Sequence, residues 1–506
     1  MKSKVKQTLV VARQGELSQF KGDVLILGLY KDAKSLTGQY AAVDSAVGGL
    51  VTDLLKLNDF TGNVNETTVV YVKGKAGFRR VMLMGLGERK NLKIDLLRQS
   101  VGTAIRAADR LGAAQVGLGL PEMDLGMALV GQAVAEGAIT GRYDFQDYVT
   151  NGNGNGKQVP RMTLTVLAAS AGVARDLTQG CKTGSIMAEG QNLARMVGNK
   201  PANEINPPTL AREVQSLARR YDLKCRVFDD RQLAAMKMNG ILAVGNSSAS
   251  KPRLIMLQYN GRRGTGKGPD VVVVGKAVTF DSGGIDIKPI PKMELMKFDK
   301  SGGCATLGIL AAAAKLKLKL NVVGLIPSAE NLLSGTCWRP GDIVTTYSGK
   351  TVEILSTDAE GRMLLADAMA YATEMKPGAI IDLATLTGAC AIALGEHYAG
   401  LFSNNEQMIA KLQKAAEISG EGVWHLPSGP EYLEFVKSKI ADLKNVGTRD
   451  GGACQAAAFL GEFVKGIPWV HLDIACVAKP DTDKPFRNGG VTGFGVRLVL
   501  EYLRSL

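Results

Sequence analysis

The chain has 506 residues, 45% of them hydrophobic and 22% charged, proportions that fit a globular protein with room for two or three domains. Its net charge of +13 permits nucleic-acid binding, but the basic residues lie in short dispersed groups (KGKAGFRR, GERKNLK, NGRRGTGK) that read as solvated faces, so nucleic acid is a secondary expectation. The apolar run TLVVA near the basic N-terminus is too short for a signal peptide, and no stretch approaches the ~20 continuous apolar residues of a membrane span, so a soluble cytoplasmic protein with no membrane partner is expected.

In chain order, TLVVAR, DVLILGLY, TVVYVKG, RRVMLMGLG and QVGLGLP read as strands and alternate with helical stretches such as LLRQSVGTAIRAADRLG. NGNGNGK (151–157) reads as a surface loop, and MTLTVLAAS as one more strand. These elements predict an α/β domain over residues 1–172. A helical pattern over 173–198 then connects to a second domain, and NKPANEINPP breaks it. Across 199–506, LIMLQY, PDVVVVGKAVTF, NVVGLIPSA, GAIIDLATLTG and PWVHLDIA read as strands separated by helices such as ATLGILAAAAKLK and RMLLADAMAYATEM. Strands this continuously apolar predict a largely parallel central sheet covered on both faces. Ligands of such sheets bind beyond the carboxyl ends of the strands.

The cysteines, seven in all, are scattered and never in CxxC spacing, which excludes a cysteine zinc site and predicts reduced thiols, buried in runs such as IDLATLTGACAIAL and LDIACVA. Three histidines without HExxH or HxH spacing leave carboxylates as the main ligands of any metal site. Such carboxylates are present at strand ends. GKAVTFDSGGIDIKP carries Lys276, Asp281 and Lys288; MELMKFDKSGG carries Asp299; STDAEGRMLLADAMAYA carries Asp358, Glu360 and Arg362. A purely structural reading competes at two places. Thr357 and Glu360 have capping-box spacing before a helix, and Lys297 and Lys300 read as members of surface ion pairs.

The three motifs GKAVTFDSGGIDIKP, MKFDKSGG and TDAEGR resemble the signature segments of the leucyl aminopeptidase family, dinuclear metal-dependent exopeptidases. The resemblance runs on through NPPTLA, IDLATLTGA, IADLKNVG and WVHLDIA to GGVTGFGVRLVLEYL, and reaches the first domain more loosely. It implies a macro-domain-like α/β first domain, a catalytic second domain, a homohexamer and peptide substrates. It also implies two divalent ions, Mn²⁺ or Zn²⁺ or else Co²⁺: one on Asp281, Asp358 and Glu360, the other on Lys276, Asp281, Asp299 and Glu360. Lys276 would ligate as the neutral amine, and Lys288 would face the developing oxyanion as an ammonium. The two ions would share the attacking water, and Arg362 would hold a bicarbonate that acts as general base.

The pocket for the N-terminal side chain, by the same resemblance, is Met296, Thr385, Gly388, Ala475 and Ala478, which suits Leu or Met over an acidic residue. Two positions depart from the family pattern: Ser356 before TDAEGR, and Asp286, two residues before Lys288, which chain alternation is expected to point away from the site. A DNA-binding regulatory role, primary or additional, is the alternative that the basic charge leaves open.

Overall fold

The computed structural model describes residues 6–33, 35–73, 76–150, 161–262, 268–479 and 482–506; NGNGNGK lies outside them. The chain divides into two compact units, one of Met1–Glu189 with Thr482–Gly489 and one of Gly190–Asp481 with Gly490–Leu506. The helix Ala171–Asn199 runs unbroken across the chain position where the first unit gives way to the second.

In the first unit the alternating runs become β1 (Thr8–Gln14), β2 (Gly22–Leu29), β3 (Thr67–Tyr71), β4 (Phe78–Gly85), β5 (Gln115–Gly119) and β6 (Met162–Ala168). They form a six-stranded sheet in the order β1-β6-β5-β2-β4-β3. Every pair is parallel except β3 with β4 at the edge. Successive residues of a strand face opposite sides of the sheet, so a strand buried on both faces must be apolar throughout. On β2, Val24 and Ile26 join the core that includes Leu97, Val101 and Val134, whereas Leu25 and Leu27 join the one that includes Val43 and Val51.

The second unit repeats the principle with more antiparallel pairing. Its strands are β7 (Lys224–Phe228), β8 (Arg253–Asn260), β9 (Val271–Gly275), β10 (Ala277–Asp281), β11 (Asn321–Asn331), β12 (Ile343–Thr345), β13 (Thr351–Glu353), β14 (Ala379–Ala384), β15 (Ala399–Ser403), β16 (Val423–His425), β17 (Leu443–Lys444) and β18 (Trp469–Asp473). The nine-stranded sheet runs β16-β15-β18-β14-β9-β11-β8-β7, with β10 added to β11; β12, β13 and β17 make a small sheet of three. Its centre, β18-β14-β9-β11, is parallel. Antiparallel pairing enters towards the edges, where β15 meets β18, β8 meets β11 and β7 meets β8. All five residues of β9 and all six of β14 are buried. The helices Ser301–Leu316 and Glu360–Glu374 are buried along most of their length, as elements covering such a sheet must be.

One reading changes in a way that matters for the site. PDVVVVGKAVTF, expected as one strand, is two. β9 pairs with β14 and β11 as far as Gly275, and Lys276 N still bonds Leu383 O; β10 then pairs only with the distal part of β11, from Ser328 to Asn331. The break falls at Lys276 and puts its side chain at the carboxyl end of the sheet's centre. The described cysteines are all free, with Cys390 and Cys476 buried. Among the described residues no helix is long and apolar enough to cross a membrane.

Candidate active site

The motif residues lie at strand ends, at a helix start and in the turns beside them. Lys276 sits in the β9–β10 break, Asp281 ends β10, Asp299 follows the 3₁₀ turn Met293–Phe298, and Glu360 opens the helix Glu360–Glu374. The SGG turn after Asp281 needs its glycines: Gly283 and Gly284 have φ of +87° and +71°, and a Cβ on Gly283 would lie 2.3 Å from Asp286 O. Gly361 lets the helix start rest on Lys276, whose Cδ and Cε would be 2.9 Å from an added Cβ.

Lys276, Asp281, Asp299 and Glu360 are all buried, and the structure joins them through two lysines. Lys276 Nζ lies 2.9 Å from Asp299 Oδ1 and 2.6 Å from Glu360 Oε1, and donates to Thr385 O at 2.8 Å. Lys288 Nζ lies 2.8 Å from Asp281 Oδ2 and also meets Asp358 Oδ1. Oxygens of Asp281, Asp358 and Glu360 fall within 4.8 Å of one another, a spacing that one ion could span.

Burial and mutual repulsion shape the protonation of this cluster. Burial works against both lysine ammonium groups, but the facing carboxylates outweigh it and hold each well above the usual lysine range: Asp299, Glu360 and Asp281 for Lys276, and Asp281, Glu360 and Asp358 for Lys288. Asp299 is pushed well above the usual carboxylate range by burial, against the pull of Lys276 and with repulsion from Glu360 and Asp281. Asp358, the most exposed of the four, is pushed up to about 6 by burial and by Asp281, opposed by Lys288.

Two positive charges in contact with four carboxylates leave an excess of negative charge in a dry site, which divalent cations would neutralise. A further observation fits cations. Asp299 Oδ2 is buried and accepts no hydrogen bond, although buried carboxylate oxygens are ordinarily satisfied.

Arg362, in the first turn of the helix Glu360–Glu374, is buried, and its Nη1 donates to Asn445 O. Burial pushes it down to about 10, opposed by Asp473 and Glu360, so it stays a cation at neutral pH. Of the expected pocket residues, Thr385 Oγ1 donates to Asp299 Oδ1 at 2.6 Å, and Ala475 N donates to Asp473 Oδ1 at 3.2 Å. Gly388 is exposed, with open space where a Cβ would point, and Met296 lies half-buried in the turn before Asp299. Ala478 is buried, and its carbonyl accepts from Thr492 N and Oγ1.

Two structural readings need correction. The helix N-cap is Ala359, with no side-chain cap, so Thr357 and Glu360 form no capping box. Thr357 Oγ1 instead donates to Gly283 O, and the Glu360 carboxylate turns to Lys276. Lys300 is not a surface residue. It is fully buried, pushed down to about 8 by that burial, and donates to Lys200 O and Lys297 O. Lys200 follows the C-terminus of the helix Ala171–Asn199, where unsatisfied carbonyls favour a cation. The Lys297 ammonium lies 5.0 Å from the centroid of the Phe298 ring.

Three supporting residues escaped the motif reading. Asn331 Nδ2 donates to Asp281 Oδ1 at 2.8 Å and to Thr357 O at 2.9 Å. Asn445 exchanges hydrogen bonds with Leu355 N and Ser356 O and receives Arg362. Asp473 accepts from Leu386 N, Thr387 N and Thr387 Oγ1, holding the turn that carries Thr385. The available signal for Asn331 and Asp473 was a polar residue closing an apolar strand, on β11 and β18.

Comparison with known proteins agrees with the geometry. The description "Cytosol aminopeptidase family, catalytic domain" matches residues 192–500, and the N-terminal domain of the same family matches 26–151. A probable cytosol aminopeptidase of Geotalea uraniireducens is 42% identical over 96% of this chain and 97% of its own length. One from Alkaliphilus oremlandii is 37% identical over 97% and 98%. Among solved structures, a mutant tomato leucine aminopeptidase superposes with a TM-score of 0.89 at 30% identity, covering 100% of this chain and 98% of its own. The bottromycin maturation enzyme BotP in complex with Mn gives 0.82 at 32% identity, covering 96% and 99%.

Proposed function

The chain belongs to the cytosol aminopeptidase family, and from that premise we propose that it releases single residues, Leu or Met by preference, from the amino ends of peptides in the cytoplasm. The observation that carries this reading is the convergence of Asp281, Asp299, Asp358 and Glu360 on Lys276 and Lys288, with Asp299 Oδ2 buried and unbonded. Asp281, Asp358 and Glu360 would hold one divalent ion, and Lys276, Asp281, Asp299 and Glu360 a second. The BotP structure containing Mn²⁺ makes manganese the first choice to try, with Zn²⁺ and Co²⁺ as alternatives. Bound there, such ions would lower the pKa of a water towards neutrality and polarise the scissile carbonyl.

The chain's own groups have distinct tasks. Lys276 must give up its proton to serve as a ligand, and a neighbouring dication makes that favourable. Lys288 keeps its proton and turns the ammonium from Asp281 and Asp358 towards the oxyanion as negative charge develops there. Arg362, cationic at the start of a helix, suits a bicarbonate that would take up the water's proton. The side chain of the departing residue would sit among Met296, Thr385, Gly388, Ala475 and Ala478, which supply no charge to pair with Asp or Glu.

A homohexamer is the assembly we expect from the family resemblance. The nucleic-acid reading drawn from net charge finds no support among the relatives. The test is a panel of aminoacyl amides on metal-stripped protein with Mn²⁺, Zn²⁺ or Co²⁺ restored. Leucine and methionine amides should be cleaved, aspartate and glutamate amides at least about tenfold less well, and none without metal. Equal rates with and without metal would overturn the reading.

A further inference from the structure

The metal-ligand set Asp281, Asp358 and Glu360 is split between two loops that come from distant parts of the chain. Asp281 closes β10 and Lys288 lies in the loop that follows it; Asp358 lies in the run into the helix Glu360–Glu374, which Glu360 opens. What joins the loops is a reciprocal pair of hydrogen bonds. Thr357 N donates to Asp286 Oδ2 at 2.7 Å, and Asp286 N donates to Thr357 Oγ1 at 3.0 Å. Each side chain thus accepts from the other residue's backbone. Thr357 Oγ1 itself donates to Gly283 O at 2.6 Å. Asn331 ties Thr357 O to Asp281 Oδ1 from the other side.

Asp286, expected to point away from the site, is instead turned inward onto Thr357, between two outward-facing isoleucines. Ile285 and Ile287 on either side are 41% and 60% exposed, whereas Thr357 is fully buried. Asp286 Oδ2 is the acceptor for the N–H of that buried residue, and the residue next to Thr357 is Asp358.

We propose that Asp286 is a positioning residue for the cation site: its Oδ2 clasps the Thr357 loop to the loop of Asp281, and thereby sets how tightly Asp281, Asp358 and Glu360 hold a divalent ion. The inference rests on the metallo-aminopeptidase reading above. It assigns a task to a carboxylate that touches neither substrate nor metal. The residues that orient ligands typically change metal affinity by about 10–100-fold when removed. An asparagine keeps an acceptor oxygen at the same distance from the backbone, while an alanine removes it.

The test uses the full chain, stripped of metal and titrated with Mn²⁺ against a competing chelator, with kcat and KM for leucine amide measured in parallel. Asp286→Ala is expected to weaken Mn²⁺ affinity by about 10–100-fold, with KM moved by less than about threefold and kcat recovering as Mn²⁺ is raised. Asp286→Asn is expected to stay within about threefold of the parent in affinity. Ile287→Ala, at the exposed neighbour, should match the parent in every readout.

Parental Mn²⁺ affinity in Asp286→Ala would overturn the proposal, and so would an Asp286→Asn that loses as much as alanine. If the alanine variant does not fold, Asp286→Asn decides alone: parental affinity supports the clasp and a tenfold loss overturns it. Affinity is read without turnover. A parent chain that binds Mn²⁺ but cleaves no aminoacyl amide would therefore overturn the proposed function and leave the role of Asp286 to be judged on its own.

Discussion

The two units place very different chemistry at the carboxyl ends of similar sheets. In the first, β2, β5 and β6 end beside a cavity of about 340 Å³ whose lining mixes leucines (Leu17, Leu29, Leu36, Leu120, Leu167) and the phenols of Tyr30 and Tyr40 with Ser35, Thr37, Gln39 and Glu122. In the second, the corresponding ends carry Lys276, Asp281, Asn331, Thr385 and Asp473. Both sheets have buried, apolar, parallel centres. A parallel sheet therefore supplies a place for a ligand, and the residues that close each strand decide what reaction the place can serve. On this account, substitutions at strand ends of the second unit change chemistry, and those at strand ends of the first do not.

The largest expected effect is at Glu360. Glu360→Ala should take hydrolysis below detection and reduce bound metal, because one carboxylate serves both proposed ions; metal analysis by mass spectrometry checks it. An active variant with full metal content would remove Glu360 from the site. Lys288→Ala comes next. It should lower kcat by about 10²–10³-fold while leaving metal content near that of the parent, the loss seen when one oxyanion donor is removed. If metal is lost and turnover per loaded site is kept, the two lysines have exchanged roles.

Asp367 separates stability from chemistry within the second unit. It is fully buried and accepts from Tyr347 N and Ile241 N, and burial, opposed by these backbone bonds, pushes it up to about 7. A carboxyl whose folded pKa lies above its unfolded value binds its proton more tightly when folded, so its contribution to stability is lost as pH rises from about 4 to about 7. Asp367→Ala should cost about 2–4 kcal/mol at pH 5 by stranding backbone donors. The gap from the parent should narrow by pH 7.5 in denaturant titrations; a constant gap would contradict the assignment. The smallest effect belongs to the first unit. The Tyr40 hydroxyl is buried without a hydrogen-bond partner, so Tyr40→Phe should leave kcat/KM unchanged and stability within about 1 kcal/mol. A tenfold fall in kcat/KM would break the contrast between the units.

The sequence was most legible where one segment contains its own explanation. Apolar runs such as VLILGL and VVVV became buried strands, and Lys276 after VVVV and Asp281 after VTF came together with Glu360 in space. What stayed hidden depends on distant partners. Thr357 has local capping-box spacing with Glu360, yet its hydroxyl is taken by Gly283, and a buried hydrogen bond to another loop outweighs a solvated cap. Lys300 looked like a surface charge because its acceptors, Lys200 O among them, lie far away in the chain or in the backbone of a preceding turn. Short strands such as β12, β13 and β17 carry only two or three residues each, too few for any periodicity to register.

The most direct test of the central claim is the position of the ions themselves. Crystals of the Mn²⁺-loaded protein, measured at the manganese absorption edge, should show two anomalous peaks about 3.5–4 Å apart between Asp281, Asp299, Asp358 and Glu360, with Lys276 Nζ within bonding distance of one. A single peak, or peaks away from these carboxylates, would contradict the account.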